Sequence, residues 1–451
     1  MWSKEHRRVI EWGKNLLILF LTLSALYLMG RSNLGASLGE ILWKESGKGD
    51  QSRIQASGQD DQNVWPVRMA VQNENGRYGV QYDEEGLEEL FTGQLGNLLG
   101  ELLGVTQSLS AIPESAWRDV ILSDQPWVYY DFLGSVPISR LTGWLGDGDD
   151  PGNQNLSGQM RAFLLFEVEG QKMLYCYSAD QGAYYRCDME QVGGRRLSAS
   201  VSQCEPNGMI FAMEDPELYS QLWPYDMILP ELPVLPYFEV SNPLADLQDD
   251  DRDQLLSDLS FLPKVATQYP SANGLGILEG EDTLRIQNNG TLTFTAHSTD
   301  ASQARYPVEA WSAGQRWVDQ AVEECKNILD AALATRIGEA RSYCIQGEEL
   351  EDGRIRVTFG YLLNGAQVLV GSDDWAAEFL LQDGYVQSFT IHLRQYESLD
   401  RTILIMPVRQ ALAALRAQLV AAGGQKQEGY ELLLCYTDNS EGAVGAGWFA
   451  R

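Results

Sequence analysis

The sequence predicts an α+β protein: a single N-terminal transmembrane helix, then a multi-domain ectodomain of helices packed on antiparallel sheets. Three observations carry that class. Residues 15–30, NLLILFLTLSALYLMG, are uncharged and almost wholly apolar. Two later stretches, 87–103 and 317–329, repeat apolar residues every three or four positions, as amphipathic helices do. Between and after them lie short apolar runs divided by Asn-Gly, Asp-Gly and other turn residues, the mark of antiparallel strands.

The first element is the apolar run. At roughly 1.5 Å per residue a helix of this length covers most of a ~30 Å hydrocarbon layer. Lys4, Arg7, Arg8 and Lys14 precede it, against Glu5 and Glu11, and a strongly acidic remainder follows Arg31. The basic flank keeps the N-terminus in the cytoplasm and places everything after Arg31 outside. Trp12 and Tyr27 suit the two interfaces. Two other readings compete. A cleaved signal peptide has a similar layout but wants small residues directly after the core, and this core ends in Tyr27-Leu28-Met29. A buried helix rarely sits behind such a flank. The anchor is the preferred reading.

The 451 residues suit two or three domains, and 44% hydrophobic with 21% charged residues is ordinary for a folded chain. The net charge is −30, which disfavours nucleic acid and anionic lipid as partners. The chain divides into a basic tail (1–14), the apolar helix (15–30) and a polar stalk (31–63). An N-terminal α+β domain (64–146), a central mostly-β region (155–300) and a C-terminal helix-plus-sheet domain (310–451) follow.

Folded sequence starts with strands at 64–72 and 78–82 around a turn at 73–76. The first amphipathic helix has Asp83, Glu84 and Glu85 at its start, where the dipole favours acids, and Gly104 at its end. Pro113 opens a short helix to Leu122. Residues 126–146 read as a strand, a tight link and a short helix begun near Pro137. A meander spans 160–190, and 208–213 adds a strand. The proline-rich 223–236 reads as an irregular surface connection. DDDRD at 249–253 starts a helix rather than binding metal. Strands fill 274–296, where Asn289-Gly290 signals a type I′ turn. A helix at 316–334, five strands with turns at Gly353, Asn364-Gly365 and Asp383-Gly384, a helix at 406–421 and two last strands complete the chain.

Catalytic motifs are missing from this sequence. HExxH, Walker and GxGxxG patterns do not occur, and the GxSxG spacing of GASLG at 35–39 falls in the polar stalk, without the strand before it and the helix after it that a nucleophile elbow needs. GDGDDPGNQN at 146–155 resembles the opening of a calcium loop, but Pro151 and Gly158 stand at positions the loop needs for ligands. His6 lies in the basic tail, and His297 and His392 sit at strand ends as packing or surface residues. Neither a cofactor nor a metal is expected, and the protein reads as non-enzymatic. Of six cysteines, Cys176 and Cys187 flank a hairpin centred on 180–182 and are the candidate disulfide; free buried thiols are the equal alternative.

Three stretches resemble one family. They are WVYYDFLGSVPISRL (127–141), the segment from DQLLSDLSFLPKVATQYPSANGLGILEGE to TLTFTA, and FGYLLNGAQVLV with YVQSFTIHLRQYE. Together they look like the YycH-type, membrane-anchored accessory regulators of an essential cell-wall sensor histidine kinase in low-GC Gram-positive bacteria. The long stalk and the cysteines depart from that pattern. The resemblance implies a non-enzymatic regulator in the cell membrane. Its partners would be the histidine kinase and a YycI-like co-regulator, and its anchor helix would associate with the kinase's membrane helices. Helices associate in lipid through small residues and modest polar bonds. Thr22, Ala25 and Met29 share one face, with Ser24 nearby. That face either packs on a partner or meets lipid.

Overall fold

Strand 127–137 explains the first half of the molecule. It is apolar at nearly every position because both of its faces are covered, which removes the usual alternation. In a computed structural model, residues 64, 66–145, 153, 156–190, 196–245, 247–297, 301–308, 317–421, 429–439 and 442–451 are described. All belong to the compact unit Ile54–Arg451. The expected anchor at 15–30 lies outside them. Among the described residues no helix is long and apolar enough to cross a membrane. The mixed α+β class is observed, with strands predominating.

The first sheet holds β1 (Arg68–Asn73), β2 (Gly76–Gln81), β3 (Thr106–Ile112), β4 (Trp127–Pro137), β5 (Gln159–Val168), β6 (Gln171–Ser178) and β7 (Ala183–Met189), in the order β2-β1-β4-β5-β6-β7-β3. Every neighbouring pair is antiparallel. Val128, Tyr130 and Phe132 of β4 face one core with Leu87, Leu99 and Leu102. Trp127 and Tyr129 face the other, with Trp117, Phe211 and Tyr225. The leucine stripe forms one interrupted helix: α1 (Glu84–Leu90), a π-helical turn (Phe91–Leu95) and α2 (Gly96–Gly104). Asp83 caps it, its side chain accepting from the Gly86 N–H. The Tyr130 hydroxyl donates to the Leu95 carbonyl at 2.9 Å, beside the π turn. Two short helices complete this half, α3 (Glu114–Ile121) after Pro113 and α4 (Ile138–Leu145) directly after β4.

A two-stranded ladder, β8 (Ile210–Phe211) with β9 (Met227–Ile228), follows. Then come β10 (Pro236–Ser241) and α5 (Asp249–Asp258), the latter with Asp249, Asp250 and Asp251 in its first turn.

The second sheet starts with β11 (Thr267–Ser271), β12 (Gly274–Glu279), β13 (Asp282–Gln287) and β14 (Thr291–Thr295). After α6 (Trp317–Leu333) it continues with β15 (Arg341–Glu349), β16 (Ile355–Leu363), β17 (Ala366–Val370), β18 (Ala377–Gln382) and β19 (Tyr385–His392). Ala321, Val322, Cys325, Ile328 and Leu329 of α6 are buried in its core. β16 is the trunk: β15 runs along one side, and β18 then β17 along the other. β17 pairs in parallel with β21 (Leu432–Asp438). The remaining elements are β20 (Gln395–Thr402), α7 (Val408–Ala421), β22 (Gly442–Val444) and β23 (Ala446–Ala450). β20, β10 and β22 make a separate three-stranded sheet.

Four expectations change. The central region 155–300 is divided, since β5–β7 complete the first sheet and β11–β14 join the second. The proline-rich 223–236 is no simple surface connection: Tyr225, Asp226 and Leu235 are buried. The Asn289-Gly290 turn is not type I′. Only Gly290 of residues 288–290 has positive φ (+82°), and its N–H reaches the Gln287 carbonyl at 3.0 Å, which is a three-residue loop with glycine in the left-handed position. Asn364-Gly365 and Asp383-Gly384, with both residues at positive φ, are type I′ pairs, as is Glu169-Gly170. Finally, the expected strand through 385–396 breaks at Leu393, and its second half leaves for the small sheet.

The two large sheets touch where both are bulged. β4 shifts register between Asp131 and Val136, with Leu133 at φ +65°. β15 shifts between Cys344 and Gln346. Gly134 lies directly against the Cys344 carbonyl, and a Cβ there would overlap it. Next to it the Gln159 side chain mimics a strand, donating to the Gly347 carbonyl at 2.6 Å and accepting from the Gly347 N–H at 3.1 Å. Ser139 to Asp319 (2.8 Å) and Arg140 to Glu323 (2.8 Å) tie α4 to α6.

Candidate functional site: a buried ion cluster between the sheets

Three buried strands of the first sheet each carry one charge inside an apolar run: Arg68 in VRMAV, Asp131 in VYYDFL and Arg161 in MRAFLLF. Register brings them together. Arg68 is the direct partner of Asp131 across β1 and β4, and Arg161 precedes Ala162, which pairs with Asp131 across β4 and β5. The second sheet contributes Glu431, just before β21, and Arg451, and the connection before β9 contributes Asp226. Burial of charge at this density requires full pairing, because isolated ions are far too costly to desolvate.

The pairing is dense. Arg161 grips Asp131 through Nε and Nη2, both at 3.0 Å, a bidentate fork. Asp131 also accepts from the Leu133 N–H at 2.8 Å, at the start of the bulge. Glu431 accepts from Arg68 Nη2 at 2.6 Å, from Arg161 Nη1 at 3.0 Å and from Arg451 Nε at 3.0 Å, with a further short contact to Arg161 Nη2. The Arg161 guanidinium also lies 4.7 Å from the centroid of the Trp223 ring. Backbone bonds fix the frame: Glu431 and Arg451 exchange N–H···O bonds at 3.0 and 3.1 Å.

Three carboxylates in one cluster titrate differently. Burial alone raises all of them. For Asp131 that push is outweighed by Arg161 and then Arg68, and its carboxyl is held below the usual range. Glu431 is likewise opposed by burial, but Arg161, Arg68 and Arg451 together hold it well below. Asp226 is the exception. Burial and then the neighbouring Glu431 push it up to about 8, more than Arg68 can offset. Its Oδ2 accepts from the Leu432 N–H at 3.1 Å, while Oδ1 has no hydrogen bond and only Arg68 Nη1 at 3.5 Å. The Tyr129 hydroxyl, under the electrostatic influence of the same charges, is also buried without a hydrogen-bond partner.

What this arrangement does chemically is clamp. Arg68, Asp131, Arg161, Asp226 and Glu431 are all buried, so none is presented to a substrate. Only Arg451, at the rim, is exposed. Sequence reasoning missed the cluster. The signal was there: a single charge within each of three strands otherwise too apolar to face water.

A second constellation has the residue types of a catalytic triad. His392 Nδ1 lies 3.2 Å from Thr291 Oγ1, and His392 Nε2 lies 3.3 Å from Asp373 Oδ2. Its exposure runs the wrong way for hydrolysis. Thr291 is buried in the β14–β19 ladder, whereas Asp373 faces solvent. Burial and then Arg394 lower the His392 pKa, and Trp375 packs tilted against the ring, with centroids 5.0 Å apart. This is a packed cross-strand histidine.

Of the residues singled out from sequence, Thr22, Ser24, Ala25 and Met29 lie outside the described residues. Cys176 and Cys187 are brought together on β6 and β7, on one side of the sheet, in the same core. Both are free thiols, and hydrogen bonding between them raises the Cys176 thiol well above its ordinary value, with burial adding to the shift. Cys325 on α6 and Cys344 on β15 are free too. No group of three or more His, Cys, Asp or Glu suited to a metal occurs among the described residues. The architecture defines a mixed α+β protein of two large sheets joined by a buried ion cluster. No family model, curated protein or solved structure matches the chain.

Proposed function

We propose that this chain is a membrane-anchored, non-enzymatic, extracytoplasmic regulator of a sensor histidine kinase, of the YycH type, acting with a YycI-like co-regulator. The observation that carries the reading is the uncharged run at 15–30 behind a basic flank and ahead of a large acidic folded unit. In this reading the N-terminus is cytoplasmic, the anchor spans the cell membrane once, and the folded unit lies outside. The clamp between the sheets supports it, because a body that reports through contact gains from a fixed geometry. To regulate, it must bind one state of the kinase better than the other. Thr22, Ser24, Ala25 and Met29 form the proposed face toward the kinase helices.

Photo-crosslinking from position 25 in intact membranes tests this. Capture of a histidine kinase, lost in Ala25→Ile while the folded unit stays intact, is the expected result. Capture of no kinase overturns it. A groove of about 520 Å³ beside α5, with Asp250, Asp253, Leu262 and Val265 among its walls, favours a second reading. That reading is an anchored protein that binds an envelope ligand without a kinase.

A further inference from the structure

Residues 231–235 and 403–406 extend from the same end of the β10–β20 ladder. Pro236 is in register with Thr402, and the Ile403 N–H donates to the Leu235 carbonyl at 2.8 Å. Side chains alternate along both segments. Leu235 and Ile405 point into the core, 0% and 5% exposed. Leu232, Val234, Leu404 and Met406 point outward, 39%, 72%, 98% and 47% exposed. A ribbon with one face in the core ordinarily carries polar residues on the other. This one is aliphatic on both. Pro233, Pro236 and Pro407 stiffen the backbone, so the outer face stays presented.

The rim has its own chemistry. The Arg401 guanidinium sits 4.4 Å from the centroid of the Tyr237 ring, and the Trp448 indole N–H donates to the Met406 carbonyl at 2.6 Å. Aliphatic side chains ringed by aromatics and a cation that can snorkel match the composition of a membrane interface.

We infer that this face seats in the outer surface of the lipid bilayer, with Leu404 and Val234 among the acyl chains and Arg401 at the level of the phosphates. Two features select lipid over a protein partner. The centre is purely aliphatic, without the Trp, Tyr or Arg that anchor protein interfaces. Leu404 protrudes instead of lining a groove. The inference rests on the anchored reading, in which only 33 residues, 31–63, separate the apolar run from the folded unit. Glu231 and Asp400 flank the patch and the chain is acidic throughout, so anionic head groups add nothing. Seating is therefore driven by apolar contact and insensitive to salt.

The test uses the full chain reconstituted in phosphatidylcholine vesicles. A bimane label goes on Leu404→Cys, with a reference label on Val168→Cys at the end of β5; the unsubstituted chain measures labelling of native thiols. With nitroxide-bearing acyl chains, label 404 should lose roughly half its emission or more and label 168 almost none, as expected for a side chain at the acyl boundary. Adding Val234→Asp, at a solvent-facing position, should restore the emission with the circular dichroism unchanged. Vesicle-bound chains quenched equally at both labels, or at neither, overturn the inference. So does bis-maleimide crosslinking of position 404 to a second copy without quenching. Chains that fail to float with vesicles overturn the anchored reading instead. For those, quenching at 404 on mixing with vesicles still supports the face, and its absence overturns it.

Discussion

Two of the junctions between the sheets work by opposite means. At one, Arg68, Arg161, Asp131 and Glu431 pair in an interior with almost no water access. At the other, β4 meets β15 through Gly134 against the Cys344 carbonyl and through the neutral amide of Gln159 on Gly347. The ion cluster depends on protonation and on having every partner present. The crossing depends on the absence of one Cβ and the length of one side chain. Charge sets which surfaces may meet, and shape sets how closely. A junction built only of charge would be strong but loosely placed, and one built only of close approach would lack a reason to form.

Substitutions can separate the two. Arg161→Ala should be the most damaging, by about 3–5 kcal/mol, since it leaves Asp131 and Glu431 buried with too few partners. Urea unfolding measures this, and a loss under about 1 kcal/mol would mean that the cluster is wetter than its burial shows. Gly134→Ala should cost about 3 kcal/mol through backbone displacement. Its cost should be the same at pH 6 and pH 8, unlike that of the cluster variants. Gln159→Leu, which strands the Gly347 N–H and carbonyl, should cost about 2 kcal/mol by the same measurement.

The pH dependence sharpens the contrast. The folded pKa of Asp226, about 8, lies above its unfolded value, so its contribution is fully present in acid and is lost as pH rises toward 8. Asp131 and Glu431 are depressed, and their contribution is lost only when pH falls below the ordinary carboxylate range. Between pH 5.5 and 8, therefore, stability should fall by up to about 1.4 kcal/mol per pH unit on account of Asp226. Asp226→Asn should flatten that slope, and an unchanged slope would remove Asp226 as its source. The smallest effect is expected from Tyr129→Phe. Its hydroxyl has no hydrogen-bond partner, so removing it should shift stability by less than about 0.5 kcal/mol, or raise it slightly.

Much of the secondary structure was readable because its signals are local. Asp83 before the leucine stripe, Pro113 before Trp117 and the Asn364-Gly365 and Asp383-Gly384 turns act within a few residues. The π turn at 91–95 was not readable, since it changes the hydrogen bonding without breaking the leucine spacing. The partition of strands between sheets was also hidden. Nothing near residues 159–189 says that they pair back onto β4 rather than forward, and the departure of β20 from β19 is settled by β10, some 155 residues earlier in the chain. The ion cluster was half visible. Lone charges in apolar strands marked Arg68, Asp131 and Arg161, but Glu431 and Asp226 look like surface acids. Their burial follows from tertiary pairing alone.

The bond from Arg68 to Glu431 joins residues 363 apart. Until the last strands arrive, the first sheet holds two arginines against a single aspartate, and β17 lacks its parallel neighbour β21. The charge pairing of the first sheet is therefore complete only once residues 431–451 are in place. Contacts of such separation slow the search for the native state. A chain cut short before residue 431 would leave Arg68 and Arg161 of the opening half without the carboxylate they share.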